Sequence, residues 1–260
     1  MRRWQKRVLL GLFGILFVAE SVYVAYHLWV AYWRRAGATP EERGFRLALR
    51  LGCFTCHGMG GTQAMQTPMG DVPSWDGMTW IMYADTEDKI RNWILYGRAD
   101  PSKPPSDRKK LRMPAYRDVL TDAQLADLVA FYQAVAFWRQ PEDPLVERGR
   151  DIAQEKGCFH CHGPEGRLTM PNPGSFKGYI PAWNSPDFDE LVRDERELRE
   201  WILDGISQRM ARNPAARFFI RRAKIRMPAY RDHLTEDELD ALVAFIRWVR
   251  ASGQKDNRRE

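Results

Sequence analysis

One seven-residue phrase occurs twice in this chain, as GCFTCHG at 52–58 and GCFHCHG at 157–163, and the residues around it repeat in step. VPSW at 72–75 returns as IPAW at 180–183, and WILYG at 93–97 as WILDG at 201–205. RMPAYRDVLTDAQLADLVAF at 112–131 returns as RMPAYRDHLTEDELDALVAF at 226–245. The order is kept while the offset grows from 105 to 108 to 114 residues, so the copies differ by small loop insertions. Two copies of one module therefore follow each other, fewer than the three units a stacked repeat array needs.

Each copy reads as helical. A short helix is expected from about Glu41 to the first repeated phrase, with its counterpart starting near Leu145. Middle helices are expected over Thr86–Leu95 and Asp194–Leu203, stopped by Gly97 and Gly205. The last helix opens on a capping box, Thr121 with Gln124 and Thr235 with Glu238. It continues with apolar residues at helical spacing: Leu125, Leu128, Val129 and Tyr132, mirrored by Leu239, Leu242, Val243 and Ile246. No strand is predicted. The link Arg139–Glu147, with two prolines, is short and stiff and should hold the copies close.

Val8 to Trp33 is overwhelmingly apolar and long enough to cross a bilayer core of about 30 Å. Arg2, Arg3, Lys6 and Arg7 precede it, which orients the N-terminus toward the cytoplasm; Arg34 and Arg35 follow it. Trp4, Trp29, Tyr32 and Trp33 mark the two interfaces. A cleaved signal peptide is the competing reading, but no small-x-small cleavage site follows VLLGLFGILFVA, and apolar character resumes after Glu20. Glu20, Tyr23 and His27 share one helical stripe, which is expected to face another transmembrane subunit. The chain thus divides into an anchor (1–40), two domains (41–139 and 140–250) and a tail (251–260) whose low apolar content predicts disorder.

All four cysteines lie in the repeated phrase. Cys-x-x-Cys-His is the attachment signature of c-type haem. Two thiols bond to the vinyl groups of one rigid porphyrin while the next residue reaches its iron from the same side. Cys53 and Cys56, then Cys158 and Cys161, are the expected thioether anchors, with His57 and His162 as proximal ligands. A single zinc site would draw both pairs to one metal; here each pair belongs to its own copy. A redox dithiol of the thioredoxin type is expected near a βαβ pattern, which is absent. Two haem c groups follow.

Six-coordinate iron needs a distal ligand as well. Each copy offers several methionines, Met59, Met65, Met69, Met78 and Met82 in the first and Met170 and Met210 in the second, but Met113 and Met227 are the pair that lies in a repeated phrase, each in RMPAY. A soft thioether suits haem iron, and Met/His ligation raises its potential, so these two are the expected axial ligands. His160 and His233 read as surface residues. Trp75 and Trp183 either donate to a haem propionate or wall the crevice. The basic stretches (Arg98, Lys103, Arg108, Lys109, Lys110 and Arg112; then Arg209, Arg212, Arg217, Arg221, Arg222, Lys224 and Arg226) suit an acidic redox partner, a solvated loop or anionic lipid. The net charge of +6 comes with interleaved acids and no nucleic-acid signature, so nucleic-acid binding is set aside.

CxxCH, a middle helix, MPxY and a capped last helix together resemble the class I c-type cytochromes, here as a tandem diheme form covering about residues 41–250. The resemblance implies an all-α fold, an N-terminal transmembrane helix followed by two tandem class I cytochrome c domains. It implies crossing of first and last helices at a glycine and an aromatic, for which Gly44 and Gly149 with Tyr132, Phe131 or Phe245 are candidates. It also implies haem attachment on the periplasmic side. Filled coordination on both irons implies electron relay, not substrate chemistry. Expected partners are integral membrane subunits of a respiratory or photosynthetic complex, a cytochrome or oxidase as donor or acceptor, and membrane lipid. A diheme peroxidase and a gas sensor each need an open iron. The stretch ARNPAARFFIRRAK departs from the pattern, offering Phe218 and Phe219 to a partner.

Overall fold

The computed structural model describes residues 3–36, 39–77, 80–104 and 111–256; Arg2, Met78, Arg108, Lys109, Lys110 and residues 257–260 lie outside them. The chain falls into two units, Met1–Ala38 and Thr39–Glu260.

The first unit is helix α1 (Arg3–Ala36). Its stretch Leu10–Leu28 is long and apolar enough to cross a membrane by length and composition, and none of it is buried within the protein. Leu10, Phe13, Leu16 and Phe17 are each at least two-thirds exposed. On the anticipated stripe, the rings of Tyr23 and His27 meet edge-on at 4.3 Å, as residues four apart on a helix do.

The second unit holds both copies. The first comprises α2 (Pro40–Arg50), α3 (Phe54–His57), α4 (Trp80–Tyr83), α5 (Glu87–Tyr96) and α6 (Asp122–Val135). The second comprises α7 (Pro144–Glu155), α8 (Cys158–His162), α9 (Pro186–Leu191), α10 (Glu195–Asp204), α11 (Gln208–Arg212), α12 (Pro214–Arg222) and α13 (Glu236–Asp256). Helix starts are set by side chains that accept orphan backbone N–H groups. Thr86 caps α5 and Asp194 caps α10, and Thr39 and Asp143 cap α2 and α7 with proline in the first turn. The capping box of α6 is complete, and Thr235 with Glu238 forms the same pair ahead of α13.

Each copy is built on a crossing of its first and last helices. A Cβ on Gly44 would lie 2.0 Å from the Asp127 carbonyl oxygen of α6 and 2.7 Å from Phe131. On Gly149 it would lie 1.9 Å from the Ala241 carbonyl oxygen of α13 and 2.8 Å from Phe245. Only glycine permits that approach. Phe131 and Phe245, both essentially buried, are the crossing aromatics; Tyr132 instead turns toward Trp75, with ring centroids 5.7 Å apart.

Two features depart from the sequence expectation. Short antiparallel hairpins follow the repeated phrase: β1 (Met65–Thr67) with β2 (Gly70–Val72), and β3 (Met170–Pro171) with β4 (Tyr179–Ile180). Ladders of two or three residues are too short to show an alternating pattern, and the fold remains all-α in class. Helix α13 also runs to Asp256, into the stretch that reads as a disordered tail. Once nucleated on a packed face, a helix extends through polar residues at little cost.

The copies share one interface. Leu168 of the second packs in the core of the first with Leu47, Leu128, Phe131 and Val135. Beside it Arg167, 1 % exposed, donates to Glu165, Glu41 and Ser252 at 3.1, 3.4 and 2.8 Å. Asn184 donates to Glu41 at 3.1 Å and Thr169 to Glu42 at 2.6 Å. Phe137 holds a left-handed φ of 49°, and its ring contacts Phe159 at 5.6 Å. A buried charge stripped of one partner costs several kcal/mol, so this cluster fixes how the copies meet.

Candidate haem sites

A cavity opens in each copy between the repeated phrase and the MPAY loop. The first, about 290 Å³, is lined by Cys53, Cys56, His57, Trp75 and Met113; the second, about 480 Å³, by Cys158, Cys161, His162, Trp183 and Met227. Every site residue expected from the sequence therefore reaches one of two cavities, in matching sets. Met113 is the one methionine on the first wall among the described residues, whereas Met210 of α11 joins Met227 on the second. Met59, Met69 and Met82 are exposed. So are His160 and His233.

The thiols and the imidazole are presented by one helical turn, α3 or α8, which sets both sulfurs and the ring on the same wall. All four cysteines are free and partly buried. Burial raises the Cys53 thiol above its usual range and pushes that of Cys158 up to about 11. Protonated thiols in an apolar wall are poor metal ligands and sluggish redox dithiols. Burial also lowers the His57 pKa and takes that of His162 down to about 4, keeping both imidazoles neutral, the form that ligates iron.

Ring orientation is set from behind. Nδ1 of His57 lies 3.1 Å from the Pro73 carbonyl oxygen, an arrangement that leaves Nε2 to face the cavity. Pro181 holds the matching place and its carbonyl favours the charged form of His162, but Nδ1 of His162 makes no hydrogen bond within normal limits. Trp75 and Trp183 lie beside the two histidines with tilted rings, at 5.0 and 5.1 Å between ring centroids. Each indole lies flush on a glycine. A Cβ on Gly61 or Gly166 would come within 2.1 or 2.0 Å of it. These tryptophans wall the crevice on its histidine side.

The methionine loops are pinned at three points, the first at glycines expected from the sequence only as helix stops. Gly97 and Gly205, both left-handed at the ends of α5 and α10, lie against the carbonyls of Met113 and Met227, which a Cβ would approach to 2.2 and 2.4 Å. Backbone N–H groups of Tyr116 and Tyr230 donate to Ile94 and Ile202, each at 3.1 Å. The Tyr116 hydroxyl donates to the Leu51 carbonyl at 3.3 Å and that of Tyr230 to Lys156 at 3.0 Å, tying each loop to the start of its cysteine turn. Their recurrence in both copies was the available signal. Two thiols and a neutral imidazole from one helical turn, with a thioether lining the same cavity, fit a covalently held haem.

The chain is 26 % identical over 108 residues to cytochrome c oxidase subunit 2 of Alkalihalophilus pseudofirmus, a match covering 42 % of this chain and 27 % of that protein. Against the reducing HAO-like protein complex of Kuenenia stuttgartiensis the identity is 18 % and the TM-score 0.25, over 80 % of this chain and 96 % of that one. The family description Cytochrome c matches twice, over residues 41–136 and 146–250. With most of its length in those two segments, each enclosing one cysteine–histidine cavity, the chain belongs to the cytochrome c family.

Proposed function

We propose that this chain is a membrane-anchored diheme relay that passes single electrons between redox partners on the extracytoplasmic side, as a subunit of, or tethered shuttle between, respiratory or photosynthetic complexes. The observation that carries the reading is the matched pair of cavities, each with Cys, Cys and His on one wall and Met on the facing loop. Haem c, when bound, supplies a one-electron couple on iron. The residues of this chain do the rest. The cysteine pairs would hold the group covalently, and His57 with Met113, and His162 with Met227, are the residues that would ligate its iron. Apolar walls exclude water, and the shared interface keeps the two sites at a fixed separation.

Helix α1 supports anchoring, and its arginine- and lysine-rich start supports a cytoplasmic N-terminus. Integral membrane subunits, and a cytochrome or oxidase as donor or acceptor, are the partners this arrangement suits.

Purification of the full chain in mild detergent tests the reading. Two covalently bound haem equivalents per polypeptide are expected, low-spin in both redox states, with no peroxide turnover. One equivalent, or an open position on resting iron, overturns it.

A further inference from the structure

The copies differ most between the middle helix and the axial methionine. In the second copy this segment carries α11 and α12, and from Gly205 to Arg231 it contains no acidic residue. Arg209 pairs with Glu197, and Arg231 with Asp204. Arg212, Arg217, Arg221, Arg222, Lys224 and Arg226 are all exposed, and none has a carboxylate partner among the described residues. The matching stretch of the first copy is shorter and carries Asp100 and Asp107 among its cations.

Helix α12 is amphipathic about the cavity. Ala216, Phe219, Ile220 and Ala223 line the second cavity, while Arg217, Phe218 and Arg221 point outward and are exposed. Phe218 is 52 % exposed and Phe176, on the loop joining β3 to β4, 48 %. They flank Phe219, at ring distances of 5.2 and 5.0 Å, and the Arg222 guanidinium sits 5.3 Å above Phe218. The platform is firmly fixed. Asn172 exchanges two 2.9 Å hydrogen bonds with the Ile225 backbone, and Lys224 N–H donates to Pro173 at 3.0 Å.

An exposed aromatic pair ringed by unpaired cations, one side-chain layer from the cavity, is the complement of an acidic surface with an apolar centre. We propose that the α11–α12 insertion is the docking face for an acidic redox protein, making the second site the port through which electrons pass to or from that partner. This rests on the relay reading above and adds where the exchange occurs and with what chemistry.

Plastocyanin, a small acidic copper protein, serves as probe. The full chain is placed in phosphatidylcholine nanodiscs, and both binding and electron-transfer rate are followed from low to high salt. Saturable binding that weakens with salt is expected. R217E/R221E should weaken it at least tenfold and F218A severalfold, with K103E on the first copy within twofold of wild type and both haem potentials unchanged. If the wild type binds but R217E/R221E matches it at every salt concentration, or if no saturation occurs, the docking face is refuted while the relay stands. Failure of either haem to accept an electron from dithionite refutes the relay itself. Discs containing phosphatidylglycerol separate a lipid-binding face: retained plastocyanin binding supports the proposal, and loss to the R217E/R221E level overturns it.

Discussion

The two copies share their inner parts almost residue for residue and part company at the rim. Cysteine turn, tryptophan on glycine, left-handed glycine against the methionine carbonyl and tyrosine strap all recur with nearly equal distances. What differs is the cavity, about 290 Å³ against 480 Å³, the insertion over the second, and one backbone position after the cysteine turn. Gly60 has φ 73° in the first copy; its counterpart Glu165 has φ 51° in the second. Duplication has preserved the cavity walls and varied what neighbours see. The inner parts are held by close approaches that tolerate no extra atom, whereas the rim faces solvent or the other copy.

If ligation is equivalent in the two copies, it should fail equivalently. Met113→His and Met227→His should each lower the potential of their own haem by on the order of 100–200 mV, because sulfur favours the reduced iron more than imidazole does. Redox titration of each variant reads this directly. A shift at Met113 with none at Met227 would break the symmetry and point to Met210, which also lines the second cavity.

The helix crossing is the next test. Gly149→Ala and Gly44→Ala both drive a methyl into a carbonyl oxygen and should cost about 3 kcal/mol or more, roughly 6–12 °C in the melting temperature of a unit this size. Gly60→Ala has nothing within 4 Å of the new Cβ and meets only the left-handed backbone cost, about 1 kcal/mol. Thermal melting of the holoprotein should rank the first two together, well below the third. Equal losses at Gly60 and Gly44 would remove the distinction between a close approach and a merely left-handed turn.

The same contrast explains what could be read from sequence. Features fixed by local chemistry were legible: the helical turns of the repeated phrase, the caps Thr121 and Thr235, the helix starts at Thr86 and Asp194, and the crossing glycines through the family resemblance. Residues fixed by the meeting of the copies were not. No sequence pattern singles out Leu168, yet it completes the core of the other copy. Arg167 and Glu165 are buried beside it, and nothing in a sequence of this kind marks which loop will be covered. Phe137, a bulky residue with positive φ, runs against local preference and is held by its contact with Phe159.

Glu165 gives the finest test of the comparison, since its place in the first copy is a glycine. It is fully buried, with one carboxylate oxygen on Arg167 and the other without a partner. Burial raises its pKa above 4.5, although Arg167 first, then Arg139 and Arg150, pull it back. A carboxyl whose folded pKa lies above its unfolded value holds its proton more tightly in the folded state. Its stabilisation is complete below about pH 4.5 and is lost as pH rises through the raised value. Wild type should therefore lose more melting temperature than Glu165→Gln on going upward from pH 4.5, by a few degrees at most, whatever the variant's absolute stability. Parallel melting profiles would mean that Arg167 fully compensates the buried charge. The interface would then act as an ion pair indifferent to pH in this range.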